Sequence, residues 1–127
     1  MNLYILFSGA ICTITSLIHI FAGQIDPVRP LLKAELAEVP KATMLACWHM
    51  VSVILVASGL VLLFAGYAGD AQLLSLVGFI SAMYILFSLV FLVVGFSYFG
   101  LSAFIVLPQW VLLLPVGVLG GIGVLQT

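Results

Sequence analysis

Apolar residues in this chain come in four long runs, at about 3–23, 42–65, 72–98 and 101–125, with polar side chains recurring inside each at helical spacing. About 20 apolar residues cross the hydrocarbon core of a bilayer as a helix, so each run predicts one transmembrane helix. At 100° per residue, Ser8, Cys12, Thr15, Ser16 and His19 share about a third of the first helix's circumference. Phe7, Ile11, Ile14, Ile18 and Phe21 take its opposite side. The second run aligns His49, Ser52 and Gly59, the third Ser81, Tyr84, Ser88 and Gly95, and the fourth Ser102, Gln109 and Gly120. Stripes of small and polar residues face one another in a bundle, because polar groups turned to lipid are costly.

The links between runs set the topology. "GYAGDAQ" and the turn near "SYFGLS" are short, which forces neighbouring helices antiparallel and predicts an up-down-up-down bundle. The first link, "DPVRPLLKAELAEVPK" at 26–41, holds six of the seven charges (three Lys+Arg and four Asp+Glu). In it, Pro30 suits a first helical turn, and Leu32, Leu36 and Val39 follow at i, i+4, i+7. That spacing predicts a short amphipathic helix on the membrane surface. Arg29, Lys33 and Lys41 are the chain's cations, so the positive-inside bias places this loop in the cytoplasm and both termini in the periplasm of a bacterial inner membrane. No Lys or Arg precedes the first run and no A-x-A follows it, which argues against a cleavable signal peptide. The fold class is therefore all-α, a polytopic membrane protein with one domain over residues 1–127.

Composition agrees. Hydrophobic residues make up 65% of the chain and charged residues 6%, against roughly a quarter charged in soluble proteins. The lipid bilayer is the expected partner. A net charge of −1 with no basic patch excludes nucleic acid. Cys12 and Cys47 lie in apolar runs without a CxxC, which removes thiol-redox and zinc-finger readings.

His19 lies four residues before the end of its run, His49 about seven after the start of the next, and Gln109 about eight into the fourth. All three reach a similar depth, roughly 6–10 Å from the first loop at 1.5 Å per residue. The expected ligand-binding cluster is His19, His49 and Gln109 beside Trp48, with Trp110 packing nearby and Tyr84 and Ser88 deeper. Ionisable residues inside a membrane mark sites by default, and histidine exchanges a proton near physiological pH. The competing reading is polar glue between helices.

Other chemistries fit less well. Cys47 and His49 point to nearly opposite sides of one helix, and two histidines are too few for a closed zinc site. Copper(I) on His19, His49 and Met44 or Met50 is a minor reading. A b-type haem held by His19 and His49, with Arg29 and Lys41 on its propionates, lacks a glycine within one turn of His49 to make room. No Asp or Glu lies within a span and no Ser-His-acid set exists, so no enzyme is expected.

Length and helix count are similar to the small multidrug-resistance transporters, which depend on an acidic residue that this first helix lacks. They are similar also to small fluoride channels, but no Asn-rich pore motif is present, and the vitamin K epoxide reductase pattern fails for want of CxxC. A first-helix His, "RPLL", "CWH" and "LPQW" together resemble small four-helix bacterial inner-membrane proteins with no activity assigned, a likeness over the whole chain that assigns no residue a role.

The polar stripe thins towards the outer half, which favours a pocket open to the cytoplasm over a through-pore. The leading expectation is a protein that binds or transports a small solute or proton. The alternatives are an accessory or assembly subunit of a larger membrane complex, and a haem-binding electron-transfer protein. Gly117 and Gly121 form a small-xxx-small pair expected to pack on the third helix or, in a homo-oligomer, on a second copy.

Overall fold

The computed structural model describes residues 1–126, which fold into helices without a strand. Helix α1, Leu3–Leu17, starts where the Asn2 side chain accepts from Ile5 N at 3.2 Å. It runs on through two wider, π-helical turns, Ile18–Ala22 and Gln24–Val28. Asp26, the residue before Pro27, is extended (φ −147°, ψ 114°), as the ring of a following proline favours. A short α2, Arg29–Lys33, completes this arm, and Ala34 is again extended.

Helix α3, Glu38–Ala68, is capped by Gly69, whose φ of 65° is open to glycine without a Cβ penalty. Asp70 then accepts from Gln72 N at 2.9 Å and starts the turn into α4, Leu74–Phe99. Helices α5, Ala103–Val106, and α6, Gln109–Leu125, follow. Leu3–Lys33, Glu38–Ala68 and Ala71–Val106 are each long and apolar enough to cross a membrane. The 17 residues of α6 reach about 26 Å at 1.5 Å each.

Two expected elements come out differently. The amphipathic helix over 26–41 is divided, with only Arg29–Lys33 helical before a break and α3 starting at Glu38. Pro40 explains the break: it fits a first helical turn, but its ring would clash with the carbonyl of residue 36 in a continuous helix. Leu32, Leu36 and Val39 are all exposed, yet they belong to two helices and the break between them. The fourth run is also interrupted, at Leu107 (φ −120°, ψ 74°) before Pro108. Pro108 has no N–H to offer the Phe104 carbonyl, and Trp110 Nε1 donates to that oxygen instead, at 3.2 Å.

Glycines bring the helices together. Leu6 meets Gly66, Leu63 meets Gly9 and Thr13 meets Gly59, so α1 and α3 pair in opposite directions. A Cβ added to Gly9 would stand 2.6 Å from Leu63 N, and one on Gly117 would stand 2.7 Å from Ser81 O of α4. Gly117 therefore packs within the chain, whereas nothing lies within 4 Å of a Cβ on Gly121. Helix α1 packs on α3 and α6, and α6 on α4, but α3 and α4 scarcely touch. The four long helices thus form an arc with a gap.

Ile5, Leu62, Val77 and Val116 fill the end of the arc near the chain termini. Phe7, Phe64, Phe79 and Val93 turn outward, each 61–65% exposed, as lipid-facing side chains do.

Candidate functional site

At the opposite end, next to the first loop, the arc encloses a cavity of about 810 Å³ with walls from all four long helices. Thr15, Ile18, His19 and Gly23 line it from the first arm, and Met44, Cys47, Trp48 and Val51 from α3. Phe87 and Phe91 of α4, and Gln109, Leu112 and Leu113 of α6, complete it. Asp26 is the charged wall residue, at the loop edge.

A polar contact between helices in the wall joins His19 and Trp48. Their rings stack with centroids 3.8 Å apart and planes 16° from parallel. His19 Nε2 also lies 3.3 Å from the Trp48 carbonyl oxygen, where a protonated Nε2 donates. Gly23 makes the stack possible, because a Cβ there would collide with the Trp48 indole. Two contacts and a glycine thus fix one aromatic wall at the loop end.

Gln109 opens α6 directly after Pro108 and lines the opposite wall. It is half-buried, and its Oε1 is buried with no hydrogen-bond partner. Most hydroxyls nearby are already satisfied. Thr15 donates to Ile11 O, Thr43 to Val39 O and Ser52 to Trp48 O, each within its own helix.

The floor lies just beyond Thr15, Leu55 and Leu113. There Cys12 Sγ stands 2.9 Å from Tyr84 Oη and 3.4 Å from Leu55 O, tying α1, α3 and α4 together. Tyr84, Cys12 and Ser88 are 0% exposed, and Ser88 donates to Trp110 O at 3.4 Å. Nearer the termini, Ser8 donates to Val116 O at 2.7 Å and Ser81 to Val77 O. A smaller cavity of about 200 Å³ lies at the terminal end, lined by Asn2, Ile5, Leu74 and Val77. From Ile5 to Thr15 is about 15 Å along α1, and packed side chains fill that interval.

Of the residues singled out from sequence, His19, Trp48 and Gln109 line one cavity. Tyr84 is buried in its floor, and Ser88 is buried between the wall residues Phe87 and Phe91. His49 is exposed and absent from the wall, so the two imidazoles do not face a shared gap. The reason is helical phase. Measured from Gly59, Trp48 lies about 20° round the helix and His49 about 80°. Of the histidine pair that the haem reading used, His19 is stacked on Trp48 in the wall, and His49 is exposed and does not line it. Met50 is likewise outside the wall, whereas Met44 lines it. Sequence reasoning missed Gly23, Cys47 and the paired Phe87 and Phe91. The last two were legible as an i, i+4 pair flanking Ser88, but only the arc shows which way that face turns.

Comparison with protein-family models, curated proteins and solved structures finds no match to this chain.

Proposed function

We propose that this chain is a small integral protein of a bacterial inner membrane that holds a small molecule in a blind cavity beside the first loop. Three helices long and apolar enough to cross a membrane support the setting. Arg29, Lys33 and Lys41 support a cytoplasmic loop, with the chain crossing up-down-up-down and both termini outside. In this reading α2 lies at the inner surface, and the motif likeness to small four-helix inner-membrane proteins belongs to the same proposal.

The observation that carries the reading is the cavity with its closed floor. Its volume of about 810 Å³ falls in the range of about 300–1,000 Å³ typical of small-molecule sites. The interhelical bonds of Cys12 and Tyr84 favour holding a ligand over conducting one. Asp26 stands at the loop edge of the wall, and with no Ser-His-acid set in the chain we read the site as binding rather than catalytic.

The test is organic extraction of the purified protein followed by mass spectrometry, beside Val51→Phe, which fills the cavity mouth. The expected result is one small molecule stoichiometric with the native protein and depleted from the variant. Two identical extracts that match bulk membrane lipid would overturn the reading, and would favour an accessory subunit whose gap receives a partner helix.

A further inference from the structure

We infer that the occupant is an elongated lipophile without an anionic head, bearing one hydroxyl-type hydrogen-bond donor, entering sideways from the bilayer between α3 and α4. This rests on the binding reading above and names the class of ligand.

Shape comes first. Wall residues on α3 extend from Thr43 to Leu55, about 18 Å along the axis, more than half of a hydrocarbon core about 30 Å thick. The wall over that length is largely aliphatic and aromatic, with Ile54, Leu55, Phe87, Phe91, Leu112 and Leu113 facing it. A long or flat apolar body fills such a slot.

The way in follows from the arc. Met44 and Val51 of α3 and Val90 of α4 line the cavity while being 55%, 43% and 58% exposed, and the two helices scarcely touch. In a bilayer this gap faces acyl chains, so the ligand need never pass through water.

Selectivity has to come from polar groups. Lipid tails are as apolar as these walls, so apolar contact alone does not favour a ligand over bulk lipid. Gln109 Oε1 is the wall's buried acceptor without a partner. The amide's terminal torsion is soft, so the amide can turn to present that oxygen to the cavity. A buried acceptor left unmade is costly, and a ligand O–H relieves the cost.

Charge narrows the class further. Asp26 stands at the loop edge of the wall, while Arg29, Lys33 and Lys41 do not line it. A carboxylate or phosphate head would meet an acid and no Lys or Arg. A neutral alcohol or phenol meets neither penalty.

The experiment uses Trp48 as the reporter, since it lines the cavity and the chain has two tryptophans. The protein carrying Trp110→Phe is placed in phosphatidylcholine vesicles. It is titrated with a long-chain alcohol brominated in its chain, the matching acid and the matching alkane. The expected result is saturable quenching by the alcohol at about tenfold lower mole fraction than by alkane or acid, about one net hydrogen bond. Gln109→Leu should bring the alcohol to the level of the alkane, with unchanged thermal unfolding as the control for folding. Val51→Phe, which leaves Gln109 in place, should shield Trp48 from alcohol and alkane together. If alcohol and alkane quench alike, or the acid is strongest, while Val51→Phe still shields Trp48, the ligand class is wrong and the cavity stands. If no quencher saturates and Val51→Phe changes nothing, the binding reading itself fails, and this inference with it.

Discussion

The His19 imidazole lies flat against the Trp48 indole, with centroids 3.8 Å apart, and points Nε2 at the Trp48 carbonyl. One residue of α3 thus meets the histidine twice, through its ring and through its backbone. The pair is a local lock between α1 and α3 at the level where the cavity begins.

A double-mutant cycle on His19→Ala and Trp48→Ala should give a coupling energy of about 0.5–1.5 kcal/mol, as stacked aromatic pairs do. His49→Ala should alter stability by less than about 0.5 kcal/mol and couple to His19→Ala more weakly than Trp48→Ala does, because His49 is exposed and off the wall. Thermal unfolding of the three single and two double variants in detergent measures both. Strong His19–His49 coupling would show that the two imidazoles meet.

Glycine substitutions should separate the faces of α6. Gly117→Leu forces a side chain onto Ser81 and Ile85 of α4 and should cost roughly 1–3 kcal/mol. Gly121→Leu meets open space and should cost under about 0.5 kcal/mol. Unfolding and the detergent-solubilised mass read the two effects. A change of mass for Gly121→Leu would show that its face contacts a second copy.

Much of the bundle was legible because polar residues at helical spacing have few places to go in lipid. Ser8, Cys12, Thr15 and Ser16 of α1, and Ser81, Tyr84, Ser88 and Gly95 of α4, are the buried faces that the spacing predicted. On α3 the pull of an ionisable side chain misled, and the apolar-aromatic Trp48 holds the position expected of His49. The phase set by Gly59 was available to correct this. The division of the fourth run was signalled by the Leu-Pro step in "LPQW", where hydropathy alone shows no interruption. The cavity was not legible, since it depends on α3 and α4 standing apart, and pairing across an arc leaves no local mark in sequence.

Membrane orientation is tested by reporters that are active on one side. A reporter inserted at 34–37, in the break before α3, should read as cytoplasmic, and one fused at the C-terminus as periplasmic. The reverse pattern would place the cavity on the outer side and overturn the charge argument.

The closed floor is tested most directly by the chain's two cysteines. Cys47 is exposed and lines the cavity, while Cys12 is fully buried against Tyr84 on the far side of Thr15. A thiol must reach water to form the reactive thiolate. The native protein in vesicles is treated with a small membrane-permeant maleimide, and adducts are located by mass spectrometry. The expected result is a single adduct on Cys47, with Cys12 labelled only after Tyr84→Ala removes the floor. Labelling of native Cys12 as fast as Cys47 would show an open path through the bundle and contradict a blind binding cavity.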